Sequence, residues 1–295
     1  EWSGAALGAP ARIILHHPER AQARAAVAAC LAEIERLETE FSLYRPDSAL
    51  RRLNRDGRLE APSHDMRRLL GESLRFGALS EGAFDVSVQP LWRLYAEHFG
   101  AHPEAREGPA PAQVSRALAR VDYRRIELTP ERVRLGPGMA LTLNGIAQGY
   151  ITDRVADLLR ARGWSNVLID LGEIRALDTR PDGRPWSVRL ADPAGPPEPR
   201  LALALANRAL ATSAGWGTPF ERSGRHHHLL DPGTGRSRNA YRSVTVLAPR
   251  ATTADALSTA LFLMPGPRAE TLLRQAGADA AWLIHADGRR ERIAV

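Results

Sequence analysis

The sequence predicts an α+β fold, and three observations carry that expectation. Segments with helical and with strand-like apolar spacing are mixed along the chain, without the regular strand–helix–strand rhythm of a parallel sheet. The long helical segments carry apolar faces that must be buried against something else. The 295 residues (32.3 kDa) suffice for one large domain, or two closely joined lobes, with a sizeable core. We therefore read residues 1–295 as a single domain.

Taken in order, residues 11–16 (ARIILH) read as a short strand, followed by a long helix to about Glu40. In that helix Val27, Leu31, Ile34 and Phe41 recur at helical spacing, and Cys30 falls beside them. FSLYRPDSALRRLN (41–54) is a turn that opens a short helix after Asp47, and residues 63–79 are helical in pattern. EGAFDVSVQPLWRLY (81–95) is a loop entering another helix, and residues 98–111, rich in Pro, Gly and Ala, form a surface excursion. Residues 134–143 look strand-like and lead through NGIAQGY into a helix with Ile151, Val155, Leu158 and Leu159 on one face. NVLIDL (166–171) is a buried-type strand ended by Gly172. Residues 186–190 and 201–205 read as strands flanking a Pro-rich turn at 192–199. Residues 243–247 read as a strand, 253–264 as a helix and 281–284 as a late strand.

Composition excludes several classes of function. All 40 basic residues are arginine, which rules out a lysine Schiff base or a phosphate-loop lysine. The formal charge is +6, but the arginines are scattered among acidic residues, so a nucleic-acid partner is not expected. No run reaches the ~18 to 20 apolar residues of a membrane helix. The single cysteine permits neither an internal disulfide nor a thiolate metal site. The chain begins at Glu1 rather than at a methionine, from which we expect a removed or omitted N-terminal segment, such as a targeting signal.

Five stretches could carry chemistry. In ATTADALSTALFLM (251–264), Asp255 and Thr259 are four residues apart and share a helix face, opposite an apolar stripe of Leu257, Leu261 and Met264. A carboxylate beside a hydroxyl suits a hard cation that keeps water and phosphate oxygens as its other ligands. The same residues also fit a capping box, Thr252-x-x-Asp255. RHHHLLDPGTG (225–235) offers His228 as a general base, or simply a turn with Asp231 as its cap. LTLNGIAQGY (141–150) sets Gly145 and Gly149 at a strand-to-helix junction, where backbone can approach a phosphate closely. Asp85 in EGAFDVSVQP, and Asp170 and Glu173 in LIDLGEIRAL, are acidic loop positions that also suit caps or turns.

These motifs, in this order and together with FSLYRPDSALRRLN and ATSAG, closely resemble the ApbE-type flavin transferases, from about Leu7 to Met264. The resemblance implies a two-lobed α+β fold that binds FAD between its lobes and uses Mg²⁺ on the pyrophosphate. It implies transfer of FMN through a phosphoester to a threonine of an acceptor protein, with release of AMP. It further implies a periplasmic or exported location and an acceptor in a membrane-associated electron-transfer system. Carried over by motif, the metal set is Asp255, Thr259 and the carbonyl of Gly145. The FAD-binding positions fall on Tyr44, Ala83, Phe84, Asp85, Thr142, Gln148 and Leu230, with Leu7 added from LGA, and His228 is the base.

Three positions depart from the family pattern. Gln148 replaces the usual lysine, Gly172-Glu173 stands for the usual glycine pair, and Thr142 replaces the usual aspartate. Three other functions share these residues. An FAD pyrophosphatase would use water in place of threonine. A flavin-binding protein without catalysis would never release AMP. A zinc hydrolase built on His226 to His228 would need further ligands.

Overall fold

The computed structural model describes residues 1–190, 201–264 and 266–295. Its centre is an eight-stranded sheet in which every neighbouring pair is antiparallel. Across the sheet the strands are β1 (Trp2–Ala6), β2 (Ala9–Ile14), β6 (Val167–Asp170), β7 (Ile174–Leu177), β10 (Ala209–Ala214), β11 (Tyr241–Ala248), β12 (Ala280–His285) and β13 (Arg290–Ala294). A three-stranded sheet joins β3 (Arg58–Glu60), β5 (Arg132–Arg134) and β4 (Glu127–Leu128), and a hairpin pairs β8 (Trp186–Arg189) with β9 (Ala202–Leu205). The turn expected at 192–199 lies outside the described residues.

Period-two alternation sends side chains of the large sheet to two different cores. Val167 and Ile169 of β6, Ala211 of β10, and Val244 and Val246 of β11 enter the main core. There they meet α1 (Arg20–Phe41), α3 (His64–Leu79), α6 (Ala147–Ala161) and α7 (Ala251–Leu263). Leu168, Ala176 and Leu210 face the other way and are covered by Trp186 and Leu205 of the β8–β9 hairpin. A third cluster joins Leu91, Tyr95 and Phe99 of α4 (Gln89–Ala101) to Val114 and Ala117 of α5 (Pro111–Leu118) and to Leu230. The remaining helices are α2 (Ala49–Asp56) and α8 (Ala269–Ala276). The α+β expectation is met, and Cys30 is fully buried in the main core, where burial pushes its thiol up to about 12.

Residues 134–143 are not a strand beyond Arg134. Leu135, Met139, Leu141 and Leu143 are all buried, which accounts for the strand-like pattern. The backbone of Leu141 is instead paired by a side chain: Asn54 Nδ2 donates to the Leu141 carbonyl (2.8 Å) and Asn54 Oδ1 accepts from Leu141 N (2.7 Å). Thr142 N donates to the Val86 carbonyl (2.8 Å). One asparagine at the end of α2 thus takes the place of a strand partner and fixes the loop that leads to Gly145.

Four strands of the large sheet were not expected: β1, β7, β10 and β13. β1 and β13 are its edges, and the alternation in β13 (RERIA) is half-buried and exposed rather than buried and exposed. β10 (ALATSA) is rich in alanine and short hydroxyl residues, which score poorly for strand, yet all but one of its residues are buried. Its central place in the sheet decides its conformation.

Candidate functional site

α6 and α7 run into the site with their N-termini interlocked. Asp153, in α6, caps α7: its carboxylate accepts from Ala251 N (2.9 Å), Thr252 N (3.0 Å) and Thr252 Oγ1 (2.6 Å). Asp255, in α7, reaches back to accept from Gly149 N (2.9 Å) in the first turn of α6. The capping box read at Thr252-x-x-Asp255 therefore does not form; each aspartate serves the other helix. Gly149 permits this approach, since a Cβ there would strike the Ala251 carbonyl and lie 2.8 Å from Asp255 Cβ. Arg175 closes the arrangement by pairing with Asp153, and both side chains are almost wholly buried.

α7 does not present a solvent face, as its amphipathic pattern suggested. It is buried nearly all round, and Asp255 is only 4% exposed. The Asp255–Thr259 edge instead faces a cavity of about 470 Å³, whose wall includes Thr142, Gly145, Gln148, Glu173, Asp255 and Thr259. Thr259 Oγ1 lies 3.1 Å from Ser213 Oγ, and a Cβ on Gly145 would lie 3.2 Å from that Thr259 oxygen. Two stretches more than a hundred residues apart are thus brought side by side.

These oxygens fit a hard divalent cation. One buried carboxylate, one hydroxyl and a glycine backbone without a side chain to block it form an all-oxygen set of the kind magnesium accepts while keeping waters. Burial raises the proton affinity of Asp255, and Asp153 nearby adds to the effect, so a cation there would relieve an unfavourable charge. Glu173 also lines the cavity, and its buried Oε2 has no hydrogen-bond partner among the described residues. Among the described residues, no three or more His, Cys, Asp or Glu side chains gather as a metal site. That leaves the three histidines without the partners a zinc centre needs.

The histidines diverge. His226 packs among Tyr95 and Phe99, with ring centroids 6.0 and 5.2 Å away. His227 is buried, with Nε2 3.1 Å from the Arg238 carbonyl and Nδ1 accepting from Leu229 N (3.2 Å). Burial lowers its pKa to about 4, so it is neutral in the fold. Only His228 lines the cavity. Its Nδ1 lies 3.3 Å from the Thr218 carbonyl, which can only accept, so that bond puts the proton on Nδ1 and leaves Nε2 with its lone pair. Burial depresses the His228 pKa, which favours the neutral base.

The expected flavin positions divide. Phe84, Asp85, Thr142, Gln148 and Leu230 line the same cavity as His228, whereas Leu7, Tyr44 and Ala83 are not part of its wall. Leu7 sits in the β1–β2 turn, where its N–H donates to Glu38 Oε1 (2.8 Å), and Tyr44 is 76% exposed. Both oxygens of Asp85 are engaged within the protein, one by Ser87 N and Oγ (2.8 and 2.6 Å), the other by Tyr123 N (3.0 Å). Burial nonetheless raises its proton affinity. Gln148 Nε2 donates to the Leu171 carbonyl (3.3 Å). Sequence reasoning assigned no role to Asn54, Asp153 or Ser213; their work is tertiary and leaves no local signal. It noted Glu173 as an acidic loop position without a task.

A family model described as ApbE family matches residues 7–283. The chain is 32% identical over 246 residues to an FAD:protein FMN transferase of Haemophilus influenzae, covering 79% of this chain and 70% of that protein. It is 33% identical over 288 residues to an FAD:protein FMN transferase of Treponema pallidum, covering 90% and 78%. The fold is shared with the flavin transferase ApbE from Vibrio cholerae at a TM-score of 0.85 and 27% identity, over 99% of this chain and 96% of that one. The ApbE protein of Thermotoga maritima superposes at a TM-score of 0.87 with 28% identity, over the same shares. With a family match over almost the whole length and all the motifs but FSLYRPDSALRRLN reaching one cavity, the chain belongs to the ApbE family.

Proposed function

We propose that this protein is a magnesium-dependent FAD:protein FMN transferase. The observation that carries the reading is the meeting, on one cavity wall, of the Gly145–Asp255–Thr259 oxygen set with a His228 ring whose Nε2 is free. The threonine hydroxyl of an acceptor protein attacks the phosphorus of the FMN half. The bond from that phosphorus to the AMP phosphate oxygen breaks, and AMP departs with the oxygen. The hydroxyl proton passes to His228 Nε2, and the product is an FMN–threonine phosphodiester. Asp255, Thr259 and the Gly145 carbonyl hold the cation, which when bound supplies positive charge to the pyrophosphate and the departing AMP. Thr218 orients the imidazole through Nδ1, and Asn54 steadies the loop that carries Thr142 and Gly145. Gln148, where a charge would otherwise stand, orients the ligand by hydrogen bonding alone.

The acceptor belongs to the same proposal, as a protein of a membrane-associated electron-transfer system outside the cytoplasm. The support for that location is the resemblance to the family. Among the described residues no helix is long and apolar enough to cross a membrane. The test is incubation with FAD, Mg²⁺ and candidate periplasmic acceptors, with AMP release and the mass of the acceptor as readouts. A mass gain of one FMN on a threonine is expected. AMP release that never needs acceptor would make the protein a pyrophosphatase, and FAD retention without AMP would make it a binding protein. In Asp255→Ala, Mg²⁺-dependent AMP release should be abolished while the fold survives. A folded variant with wild-type release overturns the metal assignment.

A further inference from the structure

Glu173 is the group at this cavity with no task in the reaction above. It sits in the turn between β6 and β7, lines the cavity and is only 8% exposed. The Thr212 N–H serves its carboxylate, while Oε2 has no hydrogen-bond partner among the described residues. Its charged neighbours are the carboxylates of Asp255 and Asp170, which repel it. The nearby buried cation, Arg175, belongs to Asp153. Arg189, the one arginine on the cavity wall among the described residues, is exposed. A buried carboxylate on a cavity wall, with one oxygen that no donor or cation among the described residues answers, is costly unless something else does so.

We propose that Glu173 belongs to the divalent-cation site, with Oε2 accepting a hydrogen bond from a water carried by the ion that Asp255 and Thr259 hold. This rests on the metal reading of those two residues. Magnesium commonly keeps several waters and is bound through one or two carboxylates. Asp255 Oδ2 already accepts from Gly149 N, so a second carboxylate supplies negative charge that Asp255 alone offers only in part. Together the two carboxylates match the charge of a divalent ion. Glu173 is thus a positioning residue, acting on the ion through its water rather than on the flavin.

The test is cation binding without FAD, by Mn²⁺ electron paramagnetic resonance and Mg²⁺ calorimetry, on the wild type, Glu173→Gln and Asp255→Asn. Partners of this kind change metal affinity by about ten- to hundredfold, and that loss is expected for Glu173→Gln. The metal-free variant should unfold at the wild-type temperature or above it, because glutamine keeps an oxygen for the Thr212 N–H and removes the repulsion from Asp255 and Asp170. Its thermal gain on adding Mg²⁺ should be smaller than that of the wild type. Glu173→Met, similar in volume and without the polar oxygens, should show the same loss if glutamine is poorly accommodated. Affinity within about twofold of wild type in the folded variant overturns the proposal. Equal binding by wild type and Asp255→Asn would overturn the metal reading itself, which separates the two failures.

Discussion

Asp153→Ala should be among the most damaging single changes in this protein, although Asp153 is not part of the cavity wall. The side chain is wholly buried and pairs with Arg175, whose side chain is 6% exposed. It also caps α7 through two backbone N–H groups and the Thr252 hydroxyl, and Arg250 approaches within 3.2 Å. Truncation leaves Arg175 with its next carboxylate, Asp157, at 4.0 Å. Breaking a buried ion pair from one side costs about 3–5 kcal/mol, and losing a cap about 0.5–2 kcal/mol. The two losses share one carboxylate and overlap, so about 3–5 kcal/mol in total is expected. That is a large part of the 5–15 kcal/mol typical of a whole domain. Arg175→Met should cost less, because Asp153 keeps its three cap donors and Arg250. Urea unfolding of both variants measures the difference. A loss below about 1 kcal/mol in Asp153→Ala, or a greater loss in Arg175→Met, would refute the argument.

In His228→Ala, FAD binding should persist while FMN transfer falls on the order of 10²–10⁴. His226→Ala should do much less, and single-turnover AMP release compares the two; equal losses would point to a shared structural role. His227 makes stability pH-dependent: its folded pKa of about 4 lies below the ordinary 6.5, so the unfolded chain takes up a proton first. This contribution is present above pH 6.5 and lost as pH falls toward 4, with a slope on the order of 1.4 kcal/mol per pH unit at most. In His227→Gln that part of the acid dependence of unfolding should vanish. Gln148→Lys should stay active and shift FAD affinity by about 1–2 kcal/mol at most, while Gln148→Ala should weaken binding without stopping chemistry. FAD titration beside AMP release checks both, and complete inactivity of Gln148→Ala at saturating FAD would give that side chain a catalytic part.

The sequence carries some of this protein on its face. Helical periodicity announced α1, α3, α6 and α7, and the buried runs of β6, β11 and β12 stood out because both faces of the sheet are covered. The order of the motifs was enough to recognise the family. Other elements have no local signature. β10 reads as a poor strand until its neighbours β7 and β11 bury it, and residues 135–143 read as a strand although Asn54 supplies the pairing.

The same division runs through the site. Residue types and spacing alone put Asp255 and Thr259 on one helix face and singled out a histidine run. They named His228 but held no reason to prefer it to His226 or His227, because the ring that reaches the cavity is decided by where aromatic rings and the Arg238 carbonyl claim the other two. Nor could they show that Asp255 serves α6 while Asp153 serves α7, since a cap is read from sequence only when donor and acceptor lie within one turn. Local propensity and periodicity act over a few residues, and so the chain alone fixed its helices and its family. The exchange of caps, the approach of Gly145 to Thr259 and the place of Glu173 on the cavity wall join distant segments, and packing alone decides them.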